Sequence, residues 1–151
     1  VHASGGFEMM KSVVDSVREK ARELQKQRPI IIAVTVLTSI DQEALNTELN
    51  IPGDVEKQVV HLALLAQKAG LDGVVCSPKE IKAIREACGR DFVIVTPGIR
   101  PAWSTTDDQK RITTPSDAVE AGANHLVIGR AITGSNDRVG AAKKILEEIG
   151  L

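Results

Sequence analysis

Four short apolar runs, residues 30–37, 71–76, 92–96 and 125–129, recur along the chain, and Val and Ile dominate them with little polar alternation. A strand covered on both faces reads this way, because neither face meets water. Between the runs, apolar residues return at helical spacing: Met10, Val13, Val14, Val17, Ala21 and Leu24, then Val55, Val59, Leu62, Ala63 and Ala66. Local punctuation supports the helices. Ser77-Pro78 with Glu80 predicts a capped start that runs to Gly89, and Thr114-Pro115 with Asp117 predicts another that stops at Gly122. Residues 137–149 predict a last helix before Gly150, and the spacing of Ser39 and Gln42 predicts a short one before the turn at 50–53. Residues 1–3 read as the tail of one more strand. Strands alternating with helices imply right-handed crossovers and a parallel sheet, so the class is α/β. Two architectures fit, an open doubly wound sheet and a (β/α)8 barrel. A complete barrel needs about 250 residues. A chain of 151 residues holds four whole units and a stub, roughly half of one. The open sheet needs no missing piece, and the pattern alone slightly favours it.

Composition narrows the partners. With 42% hydrophobic and 26% charged residues, the chain can bury the core of one domain. A net charge of −1 gives no electrostatic footprint for nucleic acid or an acidic membrane surface. No apolar run reaches the roughly 18 residues of a membrane span. Cys76 and Cys88 make no disulfide framework, which predicts a reducing, cytoplasmic setting. They also lack clustered partners at zinc spacing, so no metal is expected. The nucleophile elbow, Walker A and dinucleotide fingerprints are absent from the sequence.

In parallel α/β folds, ligands meet the loops that follow the strands. Two of those loops pair a glycine with an arginine: Gly98 with Arg100, and Gly129 with Arg130. Glycine lets backbone N–H groups approach a ligand, and guanidinium offers a rigid fork of donors that suits phosphate oxygens. Both loops read equally well as turns carrying a solvated charge. Thr38 follows a buried strand and presents a hydroxyl either to a ligand or, with Ser39, to a helix N-terminus. Gln109, in the long polar segment 101–111, could donate to a phosphate and accept from a base, or be a solvated amide. His2 is the one histidine at a strand end; His61 and His125 fall at structural positions. Paired carboxylates and Asp-x-Lys patterns are missing from the strand ends, and Asp72 lies at the start of its strand, away from the chemistry. These loops are equipped to hold a ligand and poorly equipped to transform it.

Six strings in order then carry a resemblance: Val-His-Ala-Ser-Gly-Gly (1–6), Ala-Val-Thr-Val-Leu-Thr-Ser (33–39), Gly-Leu-Asp-Gly-Val-Val-Cys-Ser (70–77), Val-Thr-Pro-Gly-Ile-Arg-Pro (95–101), Asp-Gln-Lys-Arg-Ile-Thr-Thr-Pro (108–115) and Val-Ile-Gly-Arg-Ala-Ile-Thr (127–133). Together they resemble the bacterial orotidine 5′-phosphate decarboxylase family over the whole chain. The resemblance implies a (β/α)8 TIM barrel, of which residues 1–151 hold the end of strand 4 through helix 8. Strands 1–3 and most of strand 4 would then be absent. It implies a carboxy-lyase that converts orotidine 5′-monophosphate to uridine 5′-monophosphate and CO2 in pyrimidine biosynthesis, without metal or organic cofactor. The family's catalytic lysine and aspartates fall on the early strands, one aspartate crossing from the partner subunit, so no catalytic residue is expected in this chain. Substrate binding does carry over. Arg100 and Arg130, with the backbone of Gly129, match the phosphate grip. Gln109 matches a bridge between phosphate and pyrimidine, Thr38 a hydroxyl reading the pyrimidine edge, and Pro97 a wall of the base pocket. His2, Gly5 and Gly6 match shaping positions. The expected partners are the nucleotide substrate and either a second copy in a homodimer or a complementing N-terminal half. The chain alone is expected to be inactive. Two other readings stay open: a non-catalytic half-barrel that binds a phosphate ligand, and another sugar-phosphate decarboxylase or aldolase of the same barrel superfamily.

Overall fold

All four expected strands form; three are shorter than their apolar runs, and the third is shifted by one residue, to 93–97, because Pro97 also finds a parallel partner. A computed structural model describes residues 1–104 and 113–151. In chain order these fold as a 3-10 turn (Ala3–Gly5), α1 (Gly6–Glu23), β1 (Ile32–Val34), α2 (Gln42–Thr47), α3 (Val55–Lys68) and β2 (Gly73–Val75). A 3-10 turn (Pro78–Glu80) leads into α4 (Ile81–Cys88), followed by β3 (Val93–Pro97) and a third turn (Ala102–Ser104). The remainder is α5 (Pro115–Ala121), β4 (His125–Val127), α6 (Arg130–Thr133) and α7 (Arg138–Glu148).

The sheet runs β1-β2-β3-β4, every pair parallel, with Val34 opposite Val75, Val75 opposite Val95 and Val95 opposite His125. At its first edge His2 bridges Val34 in parallel, and the Val34 N–H donates to the Val1 carbonyl at 2.8 Å, as expected for a strand tail. A doubly wound sheet reverses its strand order at a switch point. Here each crossover advances one strand in the same direction, which is the winding of a barrel wall. One half of a doubly wound sheet advances the same way, so strand order fits a barrel wall and does not separate the two architectures by itself.

Alternate strand residues face different layers. Ala33, Val74 and Ile94 are fully buried in one apolar cluster with Met10 and Val14 of α1, Val59 and Ala63 of α3, and Ile84 of α4. Their neighbours Val34, Val75 and Val95 point to the other face and are only half-buried. Gly73 is needed where β2 meets β3: a Cβ there would stand 2.1 Å from the Val93 carbonyl oxygen.

Helix starts obey local chemistry, with one correction. Thr114 and Asp117 form the expected reciprocal capping box, at 3.2 and 3.1 Å. The start of α2 is capped by Asp41, whose carboxylate accepts from the Ala44 N–H at 2.9 Å, and not by Ser39. Gln42 is then free to accept from the Val55 N–H and donate to the Gly53 carbonyl, tying α2 to the start of α3. An aspartate two residues on offered a charged acceptor, and the helix began there. Ser77 accepts from the Lys79 N–H at 3.3 Å. Glu80, read from sequence as a cap residue, is buried, and Ser77 donates to it through both backbone and hydroxyl.

Where the strands begin, Arg85 of α4 ties neighbouring segments together. Its guanidinium donates to the Gly122 carbonyl at 2.9 and 2.8 Å, to the Gly89 carbonyl at 2.9 Å, and to the Phe92 carbonyl and Asn124 Oδ1. Asn124 Oδ1 also accepts from the Ile94 N–H at 2.8 Å, so the two residues hold the starts of β3 and β4 level. At the first pair of strands, Arg28 grips Asp72 with bonds of 2.9 and 2.5 Å, and the Ile31 N–H adds a third at 2.7 Å.

Two outcomes follow from these rims. Arg85→Ala strands several carbonyls in partly buried surroundings and should cost about 3 kcal/mol in denaturant unfolding, with little recovery in Arg85→Lys, which has no fork. The Arg28 guanidinium holds the Asp72 carboxyl below its ordinary 3.8. The stability it contributes is therefore present above that value and is lost as pH falls through the depressed one. Acid unfolding of Asp72→Asn should lack that component.

Candidate functional site

The carboxyl ends of β3 and β4 place two arginines over one cleft. Pro97 and Val127 are the last paired residues of the two strands, and each arginine lies three positions further on, 97 to 100 and 127 to 130. Both arginines line the one cleft between the two loops. The cleft between their loops has a volume of about 630 Å³ and is walled by Pro97, Gly98, Arg100, Trp103, Gly129 and Arg130 among others. That is within the usual few hundred to a thousand Å³ of small-molecule sites.

Local bonds hold both loops. Ile99 is buried in the core at 3% exposure and anchors the first loop from below. The Arg100 N–H donates to the Thr113 carbonyl at 3.1 Å, so the loop is fastened to the segment that opens α5. The Pro101 carbonyl accepts both the N–H and the hydroxyl of Ser104, each at 3.0 Å. Gly98 sits at φ +79°, a left-handed conformation that glycine adopts without strain. On the second loop, the Gly129 carbonyl accepts from the Ile132 and Thr133 N–H groups at 2.9 and 3.0 Å and from the Thr133 hydroxyl at 3.3 Å. Those bonds wind α6 directly out of the glycine. Nothing lies within 4 Å of where a Gly129 Cβ would stand, so the backbone there is open to the cleft.

The cleft's chemistry is one-sided. Its described walls carry two guanidinium groups, the hydroxyls of Ser104 and Ser135 and open backbone, with no carboxylate and no lysine. Such a set stabilises an anion by charge-assisted hydrogen bonds and offers no acid or base near neutral pH. Among the described residues no group of three His, Cys, Asp or Glu side chains is placed to hold a metal ion. No described helix is long and apolar enough to cross a membrane.

The other expected residues divide. Pro97 joins the arginine cleft. Thr38 does not: it is exposed on a separate cleft of about 320 Å³ beyond β1 and β2, beside Ser77, Lys79 and Glu80. Burial pushes the Glu80 carboxyl up, opposed by hydrogen bonds from Ser77. His2 lies by a third, mainly apolar hollow with Leu37, Ile40 and Leu62. Gln109 lies outside the described residues. Sequence reasoning passed over Trp103 as a wall of the arginine cleft; being the only tryptophan, two residues after the Gly98–Arg100 turn and its proline, was the available signal. Cys76 is buried, and burial pushes its thiol up to about 12, which makes it an inert packing group.

Comparison with known proteins bears on the same residues. The family model described as "Orotidine 5'-phosphate decarboxylase / HUMPS family" matches residues 1–145. An orotidine 5′-phosphate decarboxylase of Moorella thermoacetica is 58% identical over 149 residues, which is 99% of this chain and 59% of that protein. One of Heliobacterium modesticaldum is 55% identical over 99% of this chain and 61% of its own length. The crystal structure of orotidine 5′-phosphate decarboxylase from Lactobacillus acidophilus superposes with a TM-score of 0.83 at 40% identity, covering 100% of this chain and 62% of that one. This chain thus spans about 60% of the length of the curated relatives it matches.

The two glycines separate folding from binding. Gly98→Ala should cost about 1–2 kcal/mol because of its positive φ. Gly129→Ala should change unfolding by less than about 0.5 kcal/mol, yet weaken inorganic phosphate roughly tenfold by titration calorimetry.

Proposed function

The chain belongs to the orotidine 5′-phosphate decarboxylase / HUMPS family, and from that membership we propose that it supplies the phosphate- and pyrimidine-binding part of an orotidine 5′-phosphate decarboxylase. The substrate is orotidine 5′-monophosphate and the products are uridine 5′-monophosphate and CO2. The observation that carries the reading is the pair of arginines at matched offsets over one cleft, with the Gly129 backbone open between them. Arg100 and Arg130 take the 5′-phosphate, with the open backbone of Gly129 beside them. Pro97 walls the sugar and base side. Thr38 reads the pyrimidine edge from its place after β1. Three strand spacings of about 4.8 Å, or ~14 Å, separate β1 from β4, the scale of a nucleotide. Gln109 is assigned the bridge between phosphate and base.

The reaction itself needs more than these residues. Loss of CO2 from C6 leaves a carbanion-like centre, which must be stabilised electrostatically and then protonated. No described residue of the arginine cleft does either; by the family resemblance the lysine and aspartates lie on the first three strands of the barrel domain, of which residues 1–151 are the later part. Phosphate is remote from C6, but its binding energy can be spent on assembling the reactive region in the transition state. A homodimer and a cytoplasmic setting belong to the same proposal. The bareness of the cleft favours a second reading, in which this polypeptide binds a phosphate ester without transforming it. A sugar-phosphate lyase of the same superfamily would have no use for Thr38.

Arg130→Ala tests the assignment. It removes charge-assisted bonds to a dianion, so uridine 5′-monophosphate should bind about 10–100-fold more weakly while uridine is unchanged. Equal losses for both would take Arg130 out of the phosphate site. Incubated with orotidine 5′-monophosphate, the 151-residue chain should release no CO2; turnover would place the acid–base set within this chain.

A further inference from the structure

The two arginines stand on different loops, and the β3–β4 register fixes only the strand ends that lead to them. Beyond that point the outer wall of the cleft is Trp103, on the turn that follows Arg100. Its ring is not sunk in the core: Trp103 is 45% exposed. On the other side, Lys144 of α7 places its Nζ 5.6 Å from the centre of that ring. A cation at this distance from an indole face is attracted by the ring's quadrupole. Helix α7 packs on α6, which carries Arg130, and Asp137 caps it through the Gly140 N–H at 2.8 Å. The contact therefore joins the loop of Arg100 to the helical unit of Arg130.

We propose that Trp103 and Lys144 form a brace that sets the width of the anion cleft, with Lys144 a positioning residue acting through the indole. The proposal rests on the reading of the arginine cleft as a phosphate site and names the residues that hold its two walls together. A cation–π contact at an exposed site is small, so removing the brace should weaken a phosphate monoester about two- to fivefold. The ligand class it serves is a dianion gripped from both loops. A neutral nucleoside engages neither arginine and should not sense the brace.

The full chain carries its own probe, since Trp103 is the only tryptophan. In Lys144→Met the stem remains and the charge goes; tryptophan emission should shift, and uridine 5′-monophosphate and inorganic phosphate should bind two- to fivefold more weakly, with uridine unchanged. Lys144→Arg keeps a cation over the ring and should restore both emission and affinity. Trp103→Leu should match the loss seen in Lys144→Met, and the double variant should be no weaker than either single one, because both remove the same contact. Additive losses would show Lys144 acting as a free charge and overturn the brace. So would undiminished phosphate binding in Lys144→Met, with the arginine cleft left standing. Failure of the unaltered chain to bind phosphate at all would instead sink the phosphate site, and the brace with it.

Discussion

The parallel pairing of β3 with β4 is the contact on which the site depends. A shift of one residue along that ladder would turn alternate side chains to the other face and move one arginine past the other. At the carboxyl rim β4 is short, three residues at the edge of the described sheet, with Val127 51% exposed. The register is held from the opposite end. Arg85 and Asn124 fasten the starts of both strands, and Asn124 takes the Ile94 N–H that a slipped strand would leave unpaired. A structural guanidinium thus fixes the starts of the two strands whose other ends lead to Arg100 and Arg130.

The molecule separates holding from reacting. Its arginine cleft collects positive charge, open backbone and hydroxyls, while the buried carboxyl group of Glu80 lines another cleft and is hydrogen-bonded by Ser77. Membership in a decarboxylase family and a cleft without acid or base are compatible when binding and proton transfer are built on different strands of one barrel. Residues that wall the cleft then contribute through binding energy and geometry, which places Trp103 and Lys144 in the same category of influence as Gly129.

Much of this was legible in the amino-acid order, and the gaps have physical causes. The apolar runs marked every strand, but three of the four were too long, since a residue needs a partner as well as a β-branched side chain. Thr114 and Asp117 announced their capping box because both halves are local. Ser39 misled because it competed with Asp41, a charged acceptor two residues on, and the winner depended on where Gln42 could reach across to Val55. Glu80 was legible as a capping residue, and its burial came from packing that no local pattern records. Thr38 and Arg130 were read as parts of one site, and they line separate clefts among the described residues.

What the sequence determined by itself was the alternation of buried strands with amphipathic helices, the two Gly–Arg turns after the last strands and the family to which the six strings belong. These are short-range properties, written in neighbouring residues. Only the tertiary structure decided that the strands wind in one direction, as a barrel wall does. It alone brought Arg100 and Arg130 to one cleft and Lys144 to Trp103 from 41 residues further along the chain. Strand order, register and contact between distant residues come from how whole layers pack, and a local pattern holds no record of which layers will meet.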